Sequence, residues 1–180
     1  MKIKLGYIGI TLAILLSGFA NQGIENKPTS SKINMHSDHS SSGEVPKGVK
    51  EAKNPTYKVG SKVVILADHM PGMKNAKATI VGAYDTIVYS VSYTPTTGGA
   101  RVTNHKWVVQ EEIKNAGEEP FKPGSVVTLL ANHMPGMKGA TATIESAERT
   151  TAYMVDYIPT TGGQPVKNHK WLIGSELSPR

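Results

Sequence analysis

Between residues 88 and 93 the chain alternates. Tyr89, Val91 and Tyr93 fall on one face, and Val88, Ser90 and Ser92 fall on the other. The same phase returns at Tyr153, Val155 and Tyr157, interleaved with Ala152, Met154 and Asp156. The first set is identical in both places and the second has changed. One face held and the other free is the pattern of a half-buried β-strand. Residues 63–66 and 127–130 predict strands that follow a Gly-Ser turn. Residues 76–81 and 140–144 predict a second pair, and residues 102–109 and 166–173 a later one. Thr96-Thr97-Gly98-Gly99 and its copy predict hairpin connections. No helical period occurs after the N-terminal region. The expected fold is all-β: about five short strands with Gly-rich turns in roughly 60 residues predict a small, strongly bent SH3-like barrel, present twice in tandem.

The duplication is explicit. His69-Met70-Pro71-Gly72-Met73-Lys74 returns as His133-Met134-Pro135-Gly136-Met137-Lys138, and Asn104-His105-Lys106-Trp107 returns as Asn168-His169-Lys170-Trp171, both offset by 64 residues. Aligned without gaps, residues 57–113 and 121–177 share 32 identities in 57 positions. The expected repeats are residues 55–116 and 117–180. A unit of about 60 residues is marginal alone, so the two are expected to pack together.

The first 20 residues read as an export signal: Lys2 and Lys4 precede an apolar run, residues 5–16, and small residues follow. The run is shorter than the roughly 20 residues of a membrane span. Leu16-Ser17-Gly18 resembles the approach to a lipid-bearing cysteine, but Phe19 follows and the chain has no cysteine. An exported, extracellular or surface location is expected, without a lipid anchor by that route. Residues 21–54, rich in Ser, Lys, Asn and Gly, are expected to form a flexible tether. The tether carries a His/Met cluster: Met35, His36 and His39.

Without cysteine there are no disulfides, no thiolate metal sites and no cysteine nucleophile. The net charge of +6 contains no long basic run, which argues against nucleic acid as a partner. An anionic cell wall suits an exported protein of this charge better. No obligate protein partner is indicated.

Met70-Pro71-Gly72-Met73 has the composition of a type II turn, with proline presetting one φ and glycine accepting the positive one. Such a turn brings its first and fourth Cα atoms within about 7 Å, so Met70 and Met73 are expected to converge beside His69. Met134, Met137 and His133 repeat the pattern. Thioether sulfur favours Cu(I), and imidazole also suits Cu(II) and zinc. The ordinary alternative is methionine as core filler and Pro-Gly as a plain turn. In Asn-His-Lys-Trp, strand alternation places His105 with Trp107 and His169 with Trp171 on one face. These histidines are either ligands or core. Two equivalent soft-metal sites, one per repeat, are expected.

A second function class is a pair of wall-binding modules, gripping glycan or anionic polymer with Trp107, Trp171, Lys106 and Lys170. No catalytic constellation stands out, and an enzyme is not expected. There is no serine elbow, phosphate loop or paired carboxylate motif. Glu112 and Glu176 are the only acids that match between the aligned repeats.

The phrases HMPGMKGATATI, YTPTTGG, NHKWVVQEEI and HSDHSSSGEVPKGVKEAKNP resemble the YdhK-like secreted proteins of Gram-positive bacteria. That family has a doubled domain long labelled as of unknown function. It includes copper-binding surface lipoproteins of the CopL type. The resemblance covers about residues 35–177 and implies a surface copper-binding protein that contributes to copper tolerance. Ligand candidacy carries onto His69, Met70, Met73 and their copies, with Met35, His36 and His39 beside them.

Overall fold

A computed structural model describes residues 40–180. The expected export signal and the Met35, His36, His39 cluster lie outside the described residues. Eight strands follow in chain order: β1 (Lys50–Glu51), β2 (Lys62–Ile65), β3 (Lys77–Tyr93), β4 (Val102–Val109), β5 (Val126–Thr128), β6 (Thr141–Ile158), β7 (Val166–Ile173) and β8 (Leu177–Pro179). Single 3-10 turns, Gln110–Glu112 and Gly174–Glu176, follow β4 and β7. The all-β expectation holds. All eight strands join one antiparallel sheet, which stands in place of the two separate barrels that the repeat predicts.

The reason lies in β3 and β6. Alternation predicts separate strands at residues 76–81 and 88–93, yet one 17-residue strand runs through both. β6 does the same over 18 residues. The two pair antiparallel from Lys77↔Ile158 to Tyr93↔Ala142. Each thus supplies the other's backbone partners across the middle, where a lone repeat would have to turn back. Two register shifts, between Ile80 and Gly82 and between Ser90 and Val91, let the long ladder bend.

Each half of this ladder covers a different core, and each core draws on both repeats. The first joins Val63, Ile65, Met73 and Ile80 to Tyr153, Val155, Leu172 and Leu177. The second joins Tyr89, Val91, Tyr93 and Val108 to Leu129, Met137, Ala142 and Ile144. Around the first core the pairing order is β7, β6, β3, β2, β8. Around the second it is β4, β3, β6, β5, closed by a bridge between Ile113 and Leu129. A third cluster sits between them: Val88, Trp107, Val109, Ala152, Met154, Trp171 and Ile173. The sequence repeat and the packing unit are therefore different objects, related by exchange of halves.

The motifs that recur are those that interlock across this exchange. The Thr-Thr-Gly-Gly hairpin of each repeat docks on the Met-Pro-Gly-Met turn of the other. The Thr160 N–H donates to the Gly72 carbonyl at 2.9 Å, and the Thr96 N–H donates to the Gly136 carbonyl at 2.9 Å. A Cβ on Gly72 would lie 2.5 Å from the Thr161 hydroxyl oxygen; one on Gly136 would lie 2.5 Å from that of Thr97.

The tether expectation fails for residues 40–52, which are ordered along the sheet. Lys50 and Glu51 pair with Asp85 and Tyr84 of β3. The Ser41 N–H donates to the Lys167 carbonyl at 2.9 Å, and Val45 packs on the central cluster. Side-chain composition suggests flexibility, but backbone donors and acceptors on an open strand supply the missing stabilisation.

Candidate metal centre

The two Met-Pro-Gly-Met turns form as expected in the backbone. The Met73 N–H donates to the Met70 carbonyl at 3.1 Å, and Gly72 takes φ 81°. Met137 and Met134 match at 3.1 Å, with Gly136 at φ 74°. The side chains part company. Met73 and Met137 are fully buried, one in each core. A tight turn constrains Cα positions but not side-chain direction, and burial of each thioether contributes about 2 kcal/mol that solvent exposure would forfeit. Two-sulfur chelation within one turn is therefore not what these residues are arranged to do. Met70, which also packs against the first core, and Met134 line a cleft of about 1100 Å³.

Both repeats build that cleft. His69, His105 and His133 all line it, and so does His169. The two flanking histidines, His69 and His133, are each held by a carboxylate of the opposite repeat. His69 Nε2 lies 2.7 Å from Glu176 Oε1, and His133 Nε2 lies 2.7 Å from Glu112 Oε1. The other oxygen of each glutamate accepts a tryptophan N–H: Trp107 to Glu176 at 2.9 Å, and Trp171 to Glu112 at 3.1 Å. It also accepts a strand-end N–H, from Ile173 and Val109 respectively, each at 3.2 Å. The chain His69–Glu176–Trp107 thus crosses between repeats twice, and His133–Glu112–Trp171 does the same in the opposite sense.

Each glutamate reaches this position because the 3-10 turn after β4 or β7 folds it back over the strand end. Burial pushes the Glu112 carboxyl up, but the His133 imidazole and the donated hydrogen bonds outweigh it and hold the pKa below the usual value. Glu176 follows the same balance with His69, Trp107 and Ile173. These two acids are visible in the sequence as the only ones retained in both copies. Their role is not, because their histidine partners stand 21 and 107 residues away.

Three ring nitrogens at this site are buried without a hydrogen-bond partner: Nδ1 of His69, Nε2 of His105 and Nδ1 of His133. The His105 and His133 rings stand 6.1 Å apart, centroid to centroid. Two imidazoles that share one ion have a similar span, roughly 6 Å when each nitrogen stands about 2 Å from it. Burial, with His133 and His69 nearby, lowers the His105 pKa to about 4 and keeps its ring neutral. Among the described residues no three of His, Asp and Glu close on a single point as ligands. Met70 and Met134 line the same cleft, and thioether with neutral imidazole is a donor set that suits copper.

His105 and Trp107 do not share a face. Register shifts in the β3–β4 pairing, between Tyr89 and Val91 and between Val91 and Tyr93, break the alternation. Asn104 and Asn168 take φ 50° and 51°, a left-handed conformation that asparagine tolerates well, and the Lys106–Trp107 and Lys170–Trp171 peptides are cis. His105 goes to Tyr93 and the cleft, while Trp107 goes to the central cluster. His169 is buried, edge-on to Tyr157 at 5.8 Å. Trp107 and Trp171 are 6% and 0% exposed, so neither presents a face for a sugar to stack on. Lys106 and Lys170 lie over those indole rings, 5.0 and 5.8 Å from the centroids. The wall-gripping role expected of these four residues lacks its aromatic surface.

A protein-family model described as "Protein of unknown function (DUF1541)" matches residues 59–110 and 123–174. The "Uncharacterized protein YdhK" of Bacillus subtilis (strain 168) is 54% identical over 182 residues, which cover 98% of this chain and 89% of that one. A crystal structure of the B. subtilis protein at 2.00 Å, described as of the DUF1541 family, superposes with a TM-score of 0.77 at 63% identity, covering 79% of this chain and 97% of the other. A solution NMR structure of its C-terminal domain gives 0.65 at 63% identity, covering 68% and 93%. With both copies matched, an overall relative above half identity and the same fold, the chain belongs to the YdhK-like DUF1541 family.

Proposed function

We propose that this is an exported copper-binding protein that sequesters copper ions at the cell surface and contributes to copper tolerance. One observation carries the reading. The cleft gathers buried imidazole nitrogens without partners, each flanking ring braced from its far nitrogen by a carboxylate, with two thioethers alongside. A buried nitrogen lone pair without a donor costs on the order of 1–3 kcal/mol, which an ion would offset. Carboxylate bracing of the second nitrogen is the usual outer shell of a metal-bound histidine. Thioether and imidazole without thiolate favour Cu(I), with Cu(II) on the imidazoles as the second form. The CopL-type resemblance points the same way. Export follows from the pattern of residues 1–20, and no acid–base constellation suggests turnover.

The test is a Cu(I) titration of the mature protein under reducing conditions against a competing chelator. Tight binding is expected. Binding no tighter than that of a variant with His69, Met70, His133 and Met134 all replaced by leucine would sink the proposal.

A further inference from the structure

We infer that the outer face of the sheet over the first core binds phosphate groups, through Lys62, Lys77, Thr79, Lys167 and Arg180. This face shares no residue with the histidine cleft, and the inference does not depend on the copper reading.

Strand pairing sets these residues in a row. Lys62 of β2 pairs with Thr79 of β3, and Thr79 pairs with Asp156 of β6. Arg180, just beyond β8, donates its N–H to the Lys62 carbonyl at 3.3 Å. Lys167 of β7 reaches back to Asp156, Nζ to Oδ2, at 2.7 Å. Lys77 stands two residues before Thr79, on the same face. Neighbouring strands lie about 4.8 Å apart, so five strands spread the row over roughly 20 Å. The alternate positions, Val63, Ala78 and Tyr157, point the other way into the first core. The outward residues line a groove of about 530 Å³.

The groove is short of negative charge. Its four cations face two anionic groups, Asp156 and the terminal carboxylate of Arg180. Asp156 is already engaged by Lys167 and by the Asn168 N–H at 2.8 Å. Among the described residues, neither Lys62, Lys77 nor Arg180 forms an ion pair with a carboxylate. Lys62 Nζ donates instead to the Thr79 hydroxyl at 2.8 Å. Like charges on adjacent strands repel, and an anion in the groove would relieve that repulsion.

The duplication shows that the fold does not require these charges. On the equivalent face over the second core, Lys62 is replaced by Val126, Lys77 by Thr141, Lys167 by Thr103 and Arg180 by Ala116. The inward residues Val63, Ala78 and Tyr157 recur there as Val127, Ala142 and Tyr93. The backbone and core are common to both faces, and the cation cluster belongs to one.

The donor set suits phosphate. Ammonium groups serve phosphate oxygens as point charges, the guanidinium adds a planar pair of donors, and the threonine hydroxyl adds a neutral one. A row of this length fits several phosphates along a chain better than one ion. Tyr157, the aromatic residue of the groove, is 3% exposed, so a nucleobase has no ring there to stack on. Phosphate of this kind comes from the free ion or from a polyol-phosphate polymer at the cell surface.

NMR titrations of the mature protein at matched ionic strength test the site, with inorganic phosphate, poly(glycerol phosphate) and polyglutamate as probes. Both phosphate probes should shift the amide signals of Lys62, Thr79, Asp156 and Lys167. Tighter binding of the polymer per phosphate supports the site and assigns the polymer as its source; equal binding supports it and assigns the free ion. Absence of these shifts with either phosphate probe, or polyglutamate binding as tightly per charge, would overturn the inference. Lys62→Gln/Lys77→Gln should weaken phosphate binding roughly tenfold, and Lys114→Gln/Lys122→Gln, which removes the same charge elsewhere, should leave it unchanged. Equal losses in the two variants would make net charge the cause and also overturn it. The wild-type shift map decides the matter if a variant folds poorly. Cu(I) affinity should be the same in Lys62→Gln/Lys77→Gln as in wild type, so the two readings stand or fall separately.

Discussion

Single residues in this chain answer to partners in the other repeat. Gly72 shows it best. Its φ of 81° alone favours glycine, but Gly98, at φ 82°, has the same backbone conformation and open space where a methyl would sit. At Gly72 a methyl would also strike Thr161 and Pro159. Gly98→Ala should therefore cost only the backbone strain, on the order of 1 kcal/mol, and Gly72→Ala about 2–3 kcal/mol. Denaturant midpoints compare the two, and equal losses would mean that the hairpin does not press on the turn. The same cross-repeat dependence explains which site residues are legible. His69, Met70, His133 and Met134 stand out because residue type and repetition mark them. Met73 and Met137 look identical to them in sequence, and only packing sends those sulfurs inward. Glu112 and Glu176 carry a signal, their retention, with no local chemistry to interpret it.

At the scale of elements, β3 and β6 decide the architecture. Each passes through both cores, so neither repeat contains a complete one. A fragment of residues 40–116 leaves Ile65, Met73 and Ile80 without Tyr153, Val155 and Leu172 over them. Exposing that much apolar surface forfeits far more than the net stability of a domain this size. The fragment is expected to stay unfolded as a monomer, and to give a dispersed NMR spectrum only as a self-paired dimer or when mixed with residues 117–180. A monomeric 40–116 fragment with a native-like spectrum would show that each repeat closes its own core. Most of the predicted strands are present, because alternation is a local property. What alternation does not reveal is continuity: residues 82–87 contain Gly and Asp and read as a break, but a partner strand spans them.

For the whole molecule, the buried charges near the cleft make stability depend on pH in one direction. Glu112 and Glu176 have folded pKa values below their ordinary one, so they contribute stability above about pH 4.5 that is lost as they protonate. His105 is lowered from 6.5 to about 4, so below pH 6.5 the unfolded chain takes up a proton that the folded chain refuses. All three shifts favour the folded state at neutral pH. Without added metal, the thermal midpoint should fall from pH 7 to pH 5, mostly through His105, whose shift is worth on the order of 3 kcal/mol at full titration. His105→Gln should flatten that interval, and a variant as acid-sensitive as wild type would assign the loss elsewhere.

The sequence by itself determined the strand content, the duplication, the Met-Pro-Gly-Met turns and a set of soft donors without thiol. All of these are local: they follow from side-chain periodicity, from the φ that proline and glycine accept, and from residue type. Only the tertiary structure decided that the halves exchange, that one methionine of each turn is core, that the tryptophans are buried donors to glutamate, and that the histidines of two repeats share one cleft. Those outcomes depend on which residues meet across long separations, 107 positions for His69 and Glu176 and 120 for Tyr57 and Leu177. A repeated sequence is silent there, because the same pattern in both copies does not say which copy each half packs against.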